Sequence, residues 1–111
     1  MKINVIARSD RKDKQYNATG IYNGKCLVVK KGSVVSKKIN NGVPKSITEM
    51  RKDDKLLRNN TLIIDIEFSN PSRAATFVTG SVSNGYRVWK EIETSISLRS
   101  LNDYTRGNAY E

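Results

Sequence analysis

Asn70-Pro71-Ser72-Arg73-Ala74-Ala75-Thr76-Phe77-Val78-Thr79-Gly80 carries the full punctuation of a short helix. The Asn70 side chain can satisfy a first-turn backbone N–H. Pro71 has the φ of a first helical position and lacks the N–H that would be orphaned there. Gly80 tolerates the left-handed conformation that ends helices. Ala74, Ala75, Phe77 and Val78 fall on one apolar stripe, and the paired alanines let it approach a sheet closely. Just upstream, Thr61-Leu62-Ile63-Ile64-Asp65-Ile66 is the most strand-like run in the chain and is expected to be a central strand. Asp65 and Glu67 would then share one face, with Ile64, Ile66 and Phe68 on the other. A helix among strands that do not alternate regularly with helices predicts an α+β fold. The expectation is an antiparallel sheet of about five or six strands with two or three short helices packed on one face.

The rest of the chain is read outward from there. Lys2 to Ala7 reads as a strand and the polar run Ser9 to Gln15 as a loop. Tyr16 to Tyr22 and Lys25 to Lys30 flank Asn23-Gly24, a strong hairpin signal, and Lys31-Gly32-Ser33 ends the second strand. Ser36 to Gly42 is expected to be an exposed loop. Ser46-Ile47-Thr48-Glu49 matches a capping box for a helix from about Ile47 to Asp53, anchored by Ile47 and Met50. Asn59-Asn60 marks a second hairpin between Lys55–Arg58 and Thr61–Phe68. Downstream, Asn84-Gly85 predicts a turn, Tyr86 to Lys90 a strand, and Ser95 to Leu101 a short helix or strand. Residues 1–102 are expected to form one domain, and residues 103–111, polar and terminal, a flexible tail.

Charge bounds the function. The 111-residue chain has a net charge of +9, and residues 1–58 hold 15 basic against 5 acidic residues while residues 59–111 hold 5 against 6. A cationic leading half attracts polyanions. Histidine is absent, which removes Ser-His-Asp and Cys-His catalysis and the commonest metal ligand. The single cysteine, Cys26, excludes an intramolecular disulfide and cannot build a zinc site; its apolar neighbours point to a small buried hydrophobe in a reducing cytoplasm. No apolar run approaches a membrane span, and the N-terminus lacks the apolar region of a signal peptide. These features predict a protein that is not an enzyme and needs no cofactor or metal.

The string Phe68-Ser69-Asn70-Pro71-Ser72-Arg73-Ala74-Ala75-Thr76-Phe77-Val78-Thr79-Gly80, followed by Asn84-Gly85-Tyr86 and Trp89-Lys90, resembles the DUF4357 domain family. That family shows an F-x-S-P-S-A-A-A-x-x-x-x-G stretch and then N-G-W-x-x-W-K. The match is best over residues 67–90. Arg73 stands where the family has a small residue and Tyr86 where it has Trp. The resemblance implies a bacterial, DNA-associated accessory domain, often C-terminal to GIY-YIG-type nucleases or found with restriction enzymes and adenine methylases, and it implies no catalytic residues. Gly20-Ile21-Tyr22 spells part of the nuclease motif, but no second half follows.

Taken together, the residues point to non-catalytic binding of DNA or another nucleic acid, weak in sequence preference and driven by phosphate contacts. The candidate contacts are Lys30, Lys31, Lys37, Lys38, Arg73 and Lys90. Lys30, Lys31, Lys37 and Lys38 flank a glycine-containing loop, and Arg73 lies at a helix N-terminus that could hold a phosphate. Each has a bland counterpart: a solvated lysine surface, or simple capping with Arg73 in solvent. Trp89 is expected in the core and Tyr86 more exposed. Asp65 and Glu67 are expected to be a solvent-facing pair, not a metal or acid–base site. The rival expectation is a module that docks onto a nuclease or methylase protein and uses its charge only for solubility.

Overall fold

Beyond its last inward-facing alanine, the first strand continues as a ribbon of charged residues. Strand β1 (Ile3–Arg11) and strand β2 (Lys14–Tyr22) pair antiparallel over nine residues each, closed by Lys12-Asp13. The structure is a computed structural model and describes residues 2–101. The expected loop at Ser9–Gln15 is therefore strand, turn and strand. The backbone ladder holds it together although neither face there is apolar, which is why hydrophobic alternation gave no sign of it.

Asn23 closes the next hairpin. Its Oδ1 accepts from the amides of Lys25 (2.9 Å) and Cys26 (2.7 Å), an Asx turn leading into strand β3 (Leu27–Val29). After β3 the chain leaves the ladder at Lys31-Gly32 and returns, so that Val34 bridges both Asn17 and Thr61. Helix α1 (Lys45–Arg51) starts earlier than expected and without the capping box: Pro44 is its N-cap, no side chain caps it, and the Ser46 hydroxyl accepts from Arg73 instead. Ile47 is buried as expected. Strands β4 (Leu57–Arg58) and β5 (Thr61–Leu62) turn through Asn59 and Asn60, whose φ of 52° and 62° are those of a type I′ hairpin.

The run expected to be a central strand is broken in two. Residues 63–65 leave the ladder, and only strand β6 (Ile66–Phe68) joins the main sheet, at its edge. Ile64 is exposed, while Ile66 and Phe68 are buried. At the break Asp65 Oδ1 accepts from the Lys31 amide at 2.7 Å and its Oδ2 from Lys30 Nζ at 3.0 Å, which clamps the segment to the chain just past β3. Helix α2 (Pro71–Thr79) follows as read, with Asn70 Oδ1 accepting from the Arg73 amide and Gly80 left-handed at the C-cap. Tyr86 to Lys90 is not a strand. Gly85–Val88 forms helix α3, capped by Asn84, and strand β7 is only Lys90–Glu91. A helical turn opens at Leu98. Residues 103–111 lie outside the described residues.

The main sheet is five-stranded and antiparallel, in the order β6-β3-β2-β1-β7, so the fold is α+β. One face presents Val5, Ala7, Ala18, Leu27, Val29, Ile66 and Phe68 to Ala74, Ala75, Phe77 and Val78 of α2, and α1 and α3 pack on α2. Phe68 and Phe77 meet with ring centroids 5.2 Å apart. Alternation then turns the other face outward: in register it carries Ile6, Arg8, Asn17, Thr19 and Lys90, and no helix among the described residues covers it.

Candidate nucleic-acid interface

The loop carrying Lys37 and Lys38 is held by its backbone and by the side chains of Ser36 and Asn40. The Ser36 amide donates to Val78 O, the Ser36 hydroxyl to Thr79 O and the Asn40 amide to Gly80 O, stitching the loop to the C-terminus of α2. Arg51, from the last turn of α1, adds a brace by donating to the carbonyls of both Ser36 and Phe77. Burial lowers the pKa of that guanidinium, a cost set against two charge-assisted hydrogen bonds. Gly80 is required here, because its φ is +73° and a Cβ would fall 2.0 Å from the Lys38 carbonyl oxygen. Lys37 and Lys38 stay exposed on this fixed loop.

Across from the loop lies the β1–β2 turn. Two adjoining depressions of about 250 and 360 Å³ run between them. Lys12, Asp13, Lys37 and Lys38 line the first with Asn59 and Asn60; Arg11, Asp13, Lys14 and Lys38 line the second with Asn40 and Ser81. Ser81 Oγ accepts from both Lys14 Nζ and Asn40 Nδ2 at 2.7 Å. Among the described residues five cations thus border one groove with a single carboxylate, Asp13, which pairs with Arg11 at 3.5 Å. Burial pushes the Tyr16 phenol up, against a smaller opposing pull from Arg11.

The other candidate residues do not join this groove. Lys30 is tied to Asp65 at 3.0 Å, and Lys31 gives its amide to the same carboxylate while its side chain stays in solvent. The Lys31 amide first, and then the Lys30 ammonium, hold the Asp65 carboxyl below its usual range. Asp65 is therefore a structural clamp. Lys90 is exposed on the open sheet face, paired with Ile6. Arg73 sits in the helix layer on the other side of the sheet, with Nη2 3.3 Å from Ser46 Oγ.

The N-terminus of α2 is closed by protein. Asn70 caps it, Ser72 Oγ accepts from the Gly85 amide, and the Trp89 indole donates to Pro71 O. The Arg73 amide is thus taken by the Asn70 cap. Trp89 is fully buried as expected, while Tyr86 is half-buried and meets Tyr22 edge-on at 6.4 Å. Cys26 is half-buried, less enclosed than its apolar neighbours suggested, because it closes the Asn23 turn. Among the described residues no three Cys, Asp or Glu side chains gather as a metal set, and no helix is long and apolar enough to cross a membrane.

Sequence reading missed Arg11, Lys12 and Lys14. Their signal was visible as the charge run Ser9 to Gln15, but its meeting with Lys37 and Lys38 depends on the hairpin register and on the α2 stitch. A family model described as a domain of unknown function (DUF4357) matches residues 10–102. Neither the curated proteins nor the solved structures contain a match to the chain.

Proposed function

The chain belongs to the DUF4357 family, and from that premise we propose that it is a non-catalytic accessory domain that binds DNA through phosphate contacts. One observation carries the reading. Arg11, Lys12 and Lys14 from the hairpin border the same groove as Lys37 and Lys38, and among the described residues Asp13 is the only acid in its lining. Cations carried on an ordered backbone meet a phosphate chain without a loop to order first, and each phosphate neutralised releases counterions. The family motif supports this division of labour. Asn70, Pro71, Gly80, Asn84, Gly85 and Trp89 are spent on caps and packing, which leaves recognition to the hairpin and the 36–40 loop. A bacterial cytoplasm, reducing for the lone Cys26, fits such a partner, and no cofactor is invoked.

A second reading, docking onto a nuclease or methylase, draws on one surface. Ile96 and Leu101 line an open depression of about 640 Å³ beside Lys90, and Ile92 and Ile96 are 45% and 42% exposed. Gel filtration together with duplex binding at two salt concentrations separates the readings. A monomer that binds unrelated duplexes, more weakly at higher salt, supports DNA binding. A chain that ignores DNA at both salts supports docking.

A further inference from the structure

We propose that the outward face of the β1–β2 ribbon reads base edges in the major groove of duplex DNA; this rests on the nucleic-acid reading above and adds to it a site and a form of substrate. Ala7 and Ala18 are paired and buried toward the helices, so their neighbours Arg8 and Asn17, also paired, turn outward. Two residues nearer the turn, the pair Asp10 and Gln15 faces the same way, and all four side chains are exposed. These are the residue types whose geometry matches base edges: arginine to guanine O6 and N7, asparagine or glutamine to adenine N6 and N7, aspartate to the cytosine amino group. Arg8 pairs with Asp10 at 3.3 Å, but both are exposed, and an ion pair of that kind contributes little and opens readily.

The dimensions suit a duplex. A two-stranded ribbon is one of the elements that the major groove, about 12 Å wide, admits. From Arg8 to the turn the ribbon advances about 10 Å, and at about 3.4 Å per step that spans roughly three base pairs. One cation lies beside the face: Lys90 of β7, level with Ile6 and its partner Thr19. On the opposite flank Lys30 is held by Asp65. The ribbon is also backed by protein: Lys14 donates to Ser81 and Val34 bridges to Asn17, so its outward face is presented without a loop to order. A single strand fits this face poorly. Sheets that bind single strands stack bases on aromatic side chains, and the outward strand positions of β1 and β2 hold none; Tyr16 and Tyr22 turn inward.

The test selects duplexes with a randomised centre on the full chain and sequences the survivors. Wild type, Arg8→Ala and Asn17→Ala are then titrated with the enriched duplex and a shuffled one. The expected result is an enriched short motif bound at least about tenfold more tightly than the shuffled duplex, with about tenfold lost in each variant on the enriched duplex alone. Replacing purines of the enriched site by their 7-deaza forms, with unmodified protein, is expected to reproduce the loss, so that the result does not depend on how a variant folds. Binding of all duplexes alike would overturn ribbon reading while leaving phosphate binding intact. Discrimination kept in both variants, or tighter binding to the corresponding single strand, would overturn it too. No binding to any oligonucleotide in dilute buffer would overturn the underlying nucleic-acid reading itself.

Discussion

The indole Nε1 of Trp89, fully buried, donates to the Pro71 carbonyl at 3.1 Å and so ties the end of α3 to the first residue of α2. Trp89→Phe keeps an aromatic ring but deletes that donor and leaves unfilled volume. Hydrogen-bond and cavity terms together are expected to cost about 2–4 kcal/mol. Thermal unfolding should show a midpoint lower by roughly 10 °C or more.

Gly85 sits against the same turn of α2. A Cβ there would lie 2.1 Å from both the Pro71 carbonyl carbon and its oxygen, which are backbone atoms and cannot step aside. Gly85→Ala is expected to destabilise the chain by about 3 kcal/mol or more, enough to deplete soluble protein on expression, and denaturant unfolding should show it.

Arg51 reaches the carbonyls of Ser36 and Phe77 with its fork, while its Nε is buried without a hydrogen-bond partner. Lysine can carry the charge but not the two-armed geometry. Arg51→Lys is therefore expected to loosen the 36–40 loop and cost about 2 kcal/mol. Amide exchange at Ser36 and Asn40, both stitched to α2, should accelerate ahead of exchange in β1 and β2.

Asp65 gives the fold a dependence on acid. Its folded pKa is depressed, chiefly by the Lys31 amide and then by Lys30, so the folded chain keeps the carboxylate ionised to lower pH than the unfolded chain does. The stabilisation is whole above the ordinary carboxylate value and disappears as pH falls through the folded one. Below about pH 5, Asp65→Asn should flatten the acid limb of the melting-temperature curve relative to wild type. An unchanged limb would remove Asp65 as a source of that slope.

Local chemistry made part of this molecule legible in its sequence. Asn70, Pro71 and Gly80 bound α2 through interactions within the helix, and Asn23-Gly24 and Asn59-Asn60 close hairpins through their own backbone preferences. What depended on distant partners was not legible. Thr61 to Phe68 has strand composition throughout, yet it is interrupted where Asp65 reaches Lys30 and Lys31, just past β3. Tyr86 to Lys90 reads as extended, but Gly85–Val88 is helical, capped by Asn84 with Gly85 against Pro71. Of the candidate cations, Lys37 and Lys38 come together with a hairpin tip that composition had marked as loop, while Arg73 lies in the helix layer.

The most direct measurement is a salt titration of duplex binding by the wild-type chain and by the double variant Lys37→Glu, Lys38→Glu, on two unrelated sequences. Phosphate binding at the groove requires the logarithm of wild-type affinity to fall linearly with the logarithm of salt concentration. The double variant should then bind both duplexes more weakly by similar factors and with a shallower slope. An affinity indifferent to salt, or a double variant that binds as wild type does, would contradict the proposed interface.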